Sequence, residues 1–181
     1  MAVLDSGNRR EFESGAVRDM AEGKGRCDLL PLDVIEEILD HHVTETKFVD
    51  ASITDIFMYL SDFQKTGIVR NIIHAIHAFD EIYGTNKNGS IFDLILETSH
   101  QFEDGAVKYG DNNWRKGMPT SVFLDSAIRH LLKFLRGDTD ERHDRAFVWN
   151  CMCLVWMHKN RPDMRNIPFK ECEDLKNDKN C

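Results

Sequence analysis

PTSVFLDSAIRHLLKFLRG, residues 119–137, decides how the rest of the chain is read. Val122, Phe123, Ala127, Ile128, Leu131, Leu132 and Leu135 recur at three- and four-residue spacing, the period of a helix with one apolar face. Pro119 stands where a helix starts and Gly137 where one stops. Asp125, Arg129 and Lys133 follow at i, i+4 and i+8, a row of neighbours on another side. His130 leans toward the apolar stripe. The bland account of this segment is an Asp–Arg helix pair and a core histidine.

Outward from this segment the same period returns. Asp138-Thr139-Asp140 caps a helix running from Ala146 through Met157. Upstream, Leu32, Ile35, Ile38 and Leu39 follow Pro31. Ile53, Ile56, Phe57 and Leu60 stop before Gly67. Ile68, Ile72, Ile73, Ile76 and Phe79 end near Gly84. Ile91, Leu94, Ile95, Phe102 and Ala106 run from an N-cap at Ser90 to a break at Gly110. A period-2 strand pattern of useful length is missing. The expected fold is all-α, a helical bundle of five to seven helices. The expected division is a flexible N-terminus (1–14), a single helical domain (15–165) and a polar C-terminal tail (166–181).

Composition narrows the function classes. With 181 residues the chain can bury a core unaided. Its net charge of −8 argues against direct nucleic-acid binding. No apolar run reaches the roughly 18 residues that cross a bilayer. The first residues, MAVLDSGNRREFESG, lack a secretory core. Cys27, Cys151, Cys153, Cys172 and Cys181 show no zinc-knuckle spacing, so reduced thiols in a cytoplasm are expected.

Four segments carry chemistry. In GAVRDMAEGKGRCDLLP (15–31), Gly23-Lys24-Gly25 fails as a phosphate loop. It has no glycine five residues earlier and no Ser or Thr after it. Arg18, Lys24 and Arg26 beside flexible glycines still suit a lid closing on phosphate, or equally a solvated basic arm. FEDGAVKYGDNNWRKG (102–117) sets Glu103 and Lys108 near a helix end, followed by Tyr109, Asn113 and Trp114. Amides can read a base edge and rings can stack on its face, worth about 1–3 kcal/mol per base. The competing account makes Trp114 a core plug. In FLDSAIRH (123–130), Asp125, Arg129 and His130 recur. In HDRAFVWN (143–150), Asn150 lies inside an apolar run, where an unsatisfied amide costs about 1–3 kcal/mol. It shares a face with His143 and Phe147, which suits a pocket with a charged mouth and a reading floor.

Together these segments resemble the phage and prophage proteins of the dATP/dGTP diphosphohydrolase family, which are related to the MazG-like all-α nucleoside triphosphate pyrophosphohydrolases. The resemblance covers roughly residues 15–30 and 100–157. It implies a MazG-like helical nucleotide-hydrolase domain and a cytoplasmic location in a bacterial host. It further implies a purine deoxynucleoside triphosphate cut between its α- and β-phosphates, giving a monophosphate and pyrophosphate. Mg2+, or Mn2+, is the implied cofactor, and a homo-oligomer the implied assembly. Carried over by position, the catalytic set is Glu103, Asp125, His130 and His143. The substrate-binding set is Arg18, Lys24, Arg26, Lys108, Tyr109, Asn113, Trp114, Arg129 and Asn150. The metal ligands would be Glu103, Asp125 and Asp144. The chain departs from the MazG-like pattern in lacking its ExxE and ExxD segments at the expected places. Two rival readings are an HD-type triphosphohydrolase built on His130 and His143-Asp144, and a catalytically silent nucleotide-binding protein.

Overall fold

A computed structural model describes residues 9–19, 22–44, 51–84 and 90–168. It opens with an antiparallel hairpin of β1 (Arg9–Glu11) and β2 (Val17–Asp19) and a 3-10 turn at Cys27–Leu29. Six helices follow: α1 (Leu32–Thr44), α2 (Ile53–Thr66), α3 (Arg70–Gly84), α4 (Ile91–Tyr109), α5 (Thr120–Arg136) and α6 (His143–Asn160). Short 3-10 turns at Asn113–Lys116 and Pro162–Met164 precede α5 and follow α6. The six helices coincide with the six apolar stripes, and the architecture is an all-α bundle.

The hairpin was not legible in advance. Its strands are three residues long, too short for alternation to register. Residues 9–18 are all exposed, so no apolar pattern was needed. Residues 9–14 of the expected flexible N-terminus form β1 and part of the turn that joins it to β2. Residues 1–8 and most of the expected tail, 169–181, lie outside the described residues.

Helix boundaries follow local chemistry. The Asp55 carboxylate accepts the Ser52 N–H at 2.7 Å and opens α2; Asp93 does the same for Ser90 at 2.9 Å and opens α4. Gly67 ends α2 in the left-handed region, and Gly137 ends α5 there, at φ 72° and 85°.

The core is organised by α6, whose residues from Ala146 to Met157 are buried on every side except at Trp149 and Trp156. A helix apolar all round must be enclosed. Helix α5 packs along it most extensively, and α1, α3 and α4 complete the sleeve, while α2 packs on α3. Aromatic contacts mark the seams: Phe79 on Phe147 (4.9 Å between centroids), Phe102 on Trp149 (5.8 Å) and Phe63 on His158 (5.6 Å). Cys151 and Cys153 are fully buried, and burial pushes both thiols up, which makes them inert. Among the described residues, no helix is long and apolar enough to cross a membrane.

His158 ties this packing to pH. Burial, with a smaller push from Arg165, holds its imidazole down to about 4. The unfolded chain takes up that proton near 6.5, before the folded one does. The stabilisation is therefore complete above about pH 6.5 and is lost as pH falls from there toward 4. The melting temperature should drop over that window, and His158→Leu should flatten the drop. An identical slope in the variant would show that His158 contributes nothing to it.

Candidate functional site

Along its C-terminal half, α4 leaves a gap against α5 and α6. The pocket there measures about 310 Å³. Its walls are mainly aromatic: Phe102, Tyr109, Trp114, Phe123 and Trp149. Four residues singled out from the sequence meet in it: Tyr109, Asn113, Trp114 and Asn150. Trp114 does fold back into the core. It is 6% exposed and stands edge-on to Trp156 at 5.0 Å, yet it still lines the pocket. Tyr109, 60% exposed, supplies the ring at the rim that a flat ligand can reach.

The polar atoms of this pocket are incompletely satisfied. The Asn150 amide nitrogen donates to the Ala146 carbonyl at 2.8 Å, and its oxygen has no hydrogen bond among the described residues. The indole N–H groups of Trp114 and Trp149 are buried and also lack acceptors. Buried donors normally find partners, and each one left unmade costs about 1–3 kcal/mol. A pocket walled by aromatic rings, with the Asn113 and Asn150 amides in its lining, suits a flat heteroaromatic ligand.

Cations ring the rim. Arg26 bonds Asp28 (2.7 Å) and Asp111 (2.8 Å), the latter between the pocket residues Gly110 and Asn112. Lys108 lies over the Tyr109 ring at 5.0 Å. Arg129 donates to Ser126, which lines the pocket, at 2.8 Å and to Asp125 at 3.0 Å. Asp125 itself is exposed. Arg18 stands on the exposed hairpin and is not part of the lining.

Glu103 sits six residues before the end of α4 and holds a loop. Its two carboxylate oxygens accept the N–H groups of Gly23 and Gly25, each at 2.8 Å. Gly25 is required there: its φ is 77°, and a Cβ would overlap the Ser99 hydroxyl. Lys24 is thereby carried between two anchored glycines, and Leu29 closes one side of the pocket.

The three acids expected to share one ion do not meet. Glu103 is taken up by the loop, Asp125 pairs with Arg129, and Asp144 pairs with Arg142 at 2.8 Å. Asp144 instead belongs to a second pocket of about 530 Å³, together with Asp80, Asp93 and Glu97. Arg142 lies between Glu97 (3.2 Å) and Asp144 there. Asp80, Asp93, Glu97 and Arg142 were not assigned from the sequence. Asp93 reads as a capping residue and Asp80 as an ordinary helix acid; only the four-residue step from Asp93 to Glu97 hinted at a shared face. The donors of this pocket are carboxylate oxygens, the type magnesium takes.

His130 and His143 do come together, with Nδ1 atoms 3.0 Å apart. Burial is the main influence that pushes the His130 pKa down. Asp140 accepts from Lys133 and bonds the far nitrogen of His143, and those two partners hold its carboxyl well below the usual range.

Removing the loop anchor should be visible directly. Losing two hydrogen bonds to a charged group favours loop opening by tenfold or more on the order of these bond strengths. Glu103→Ala should therefore speed tryptic cleavage after Lys24 and Arg26 by at least about tenfold, with helical circular dichroism intact. An unchanged cleavage rate would remove Glu103 as the anchor.

Residues 89–167, covering α4, α5 and α6, match the family described as dATP/dGTP diphosphohydrolase, N-terminal. Comparisons with curated proteins and with solved structures return no match. The matched span contains both pockets' α4 and α6 walls and the histidine pair. The match spans 79 of the 181 residues, and over that part the chain is similar to the dATP/dGTP diphosphohydrolases.

Proposed function

We propose that the chain hydrolyses purine deoxynucleoside triphosphates to the monophosphate and pyrophosphate, with the base in the aromatic pocket. The observation that carries this is the aromatic pocket itself, walled by Phe102, Tyr109, Trp114, Phe123 and Trp149 and lined by the amides Asn113 and Asn150. The buried Trp114 and Trp149 N–H groups, which have no acceptor, would reach a base once the walls adjust to it. Purine ring nitrogens are acceptors for the indoles. The amide oxygen answers an exocyclic amine, which both adenine and guanine carry. Tyr109 covers the exposed face of the base.

The phosphates lead away along α4. Glu97, Gln101 and Gly105 follow at four-residue intervals, one row on that helix. Glu97 lines the acidic pocket and Gly105 the aromatic one. Eight residues of helix separate them, about 12 Å along the axis, a length a nucleoside triphosphate spans. Arg142 at the N-cap of α6 and Arg145 within it pair with Glu97 and Asp104 of α4 and exchange those carboxylates for phosphate oxygens.

Asp80, Asp93, Glu97 and Asp144 line one acidic pocket, but no three of them bring ligand atoms within 4.8 Å of one another, so a divalent ion would have to draw them inward to be held there. When bound, it supplies charge neutralisation at the phosphates and a more acidic water. Glu97, 46% exposed by its side chain, accepts the proton of the attacking water. That water adds at the α-phosphorus, the bond to the bridging oxygen breaks, and pyrophosphate departs with the bond's electrons. The chain's own contribution is to orient the base, fix the phosphates and take up one proton.

Incubation with dATP or dGTP and magnesium should release pyrophosphate. Release of inorganic triphosphate, or binding without turnover, would contradict this reading. Asn150→Leu should lower kcat/KM for both purines by about 10- to 100-fold, since a site built to hydrogen-bond discriminates strongly. Stability should hold, because the substitution removes a half-satisfied buried amide. Loss of stability with unchanged kcat/KM would make Asn150 a core residue only.

Gly105→Leu is a second, independent check. A Cβ at Gly105 meets no atom within 4 Å, so the fold accommodates it. Replacing a mid-helix glycine should hold or raise stability, by up to about 1 kcal/mol. The new side chain stands at the wall of the aromatic pocket and should abolish turnover. Normal turnover would place the substrate elsewhere.

A further inference from the structure

The turn that joins α5 to α6 brings three ligand-type atoms into one small triangle. His130 Nδ1 and His143 Nδ1 are 3.0 Å apart. Glu141 Oε1 lies 3.4 Å from the first and 3.5 Å from the second. Zinc bonds nitrogen and carboxylate oxygen at about 2.0–2.1 Å in a tetrahedron, whose edges are then about 3.3 Å. The observed triangle has edges of that size.

Hydrogen bonding accounts for less of this arrangement. One imidazole can donate to the other across 3.0 Å, which satisfies one proton and one lone pair. The Glu141 oxygen, at 3.4 and 3.5 Å, is then close to both nitrogens without a strong bond to either. Around the triangle the usual outer support of a metal-bound imidazole is already built. His143 Nε2 bonds Asp140 Oδ1 at 2.8 Å, and Lys133 holds the other oxygen of Asp140 at 2.8 Å. The His143 side chain is fully buried and that of His130 is 13% exposed, so both rings are fixed. Glu141 is 47% exposed, which leaves the fourth corner open to water. A neighbouring group, Asp138, Asp140 and His143, also has close ligand atoms, but its two carboxylates are already paired with Arg136 and Lys133.

We infer that His130, Glu141 and His143 form a transition-metal site of the zinc type, distinct from the carboxylate pocket proposed for magnesium. Nitrogen donors select zinc, cobalt or copper over magnesium. The ion clamps residues 141–143 and so fixes Arg142, which reaches both Glu97 and Asp144. The site would therefore set the shape of the acidic pocket from outside it.

The test uses the full chain, stripped by a chelator, without nucleotide, so that its failure leaves the hydrolase reading untouched. Co2+ alone is titrated in and followed by its visible absorption, then displaced by Zn2+. The expected result is tetrahedral-type absorption saturating at about one ion per chain. His130→Asn and Glu141→Gln should each weaken Co2+ binding by at least about tenfold. Glu141 is half exposed, so its variant keeps the fold even if His130→Asn does not. Absence of Co2+ absorption in the wild type, or an unchanged titration in Glu141→Gln, would overturn the proposal.

Discussion

Everything here depends on the burial of α6. Its surface from Ala146 to Met157 is apolar nearly all round, so it is stable only when other helices enclose it. Four of them do, and the polar residues that α6 carries are thereby forced inside: His143, Asp144, Asn150 and His158. A buried polar side chain must find a partner or remain at a cost. Each of the four meets this demand differently. Asp144 takes Arg142, His143 takes Asp140 and His130, His158 is held neutral against Phe63, and Asn150 is satisfied on one side only.

The unsatisfied half of Asn150 is where structure passes into function. It belongs to a residue that lines the same pocket as two tryptophans whose buried N–H groups have no acceptor. Such a cavity is poorly suited to water, since it offers few polar contacts over a large apolar surface. A purine would offer ring faces to the walls and polar edges to the amides of the lining. The Glu103 clasp adds to the enclosure, because it pins the glycine loop that leads into Leu29 at the pocket wall.

Much of this was legible in the sequence. Apolar period located all six helices, since it is a local signal, but the cap expected for α6 at Asp138-Thr139-Asp140 is not found: Arg142 stands at its N-cap, and Asp138 and Asp140 pair with Arg136 and Lys133. Tyr109, Asn113, Trp114 and Asn150 stood out because rings and amides are costly among charges or in a core, and they share one pocket. The expected grouping of Glu103, Asp125 and Asp144 is not found within one chain. Which acids meet is set by the rotation of helices about their axes, and no local pattern encodes that. Asp80 and Asp93 look like solvated helix acids until α3 and α4 place them beside Asp144. The Glu103 clasp joins residues 78 and 80 positions apart and had no sequence signal beyond the glycines themselves.

The proposed hydrolysis depends most heavily on the base entering the pocket that Trp114 and Trp149 line. The chain has three tryptophans, so three indole N–H resonances report on it. The direct measurement is their nuclear magnetic resonance shifts as a non-hydrolysable dGTP analogue is titrated in. New hydrogen bonds should move the Trp114 and Trp149 signals downfield together, saturating with the analogue. If both stay in place while the analogue binds, the aromatic pocket is not the base site and the account fails.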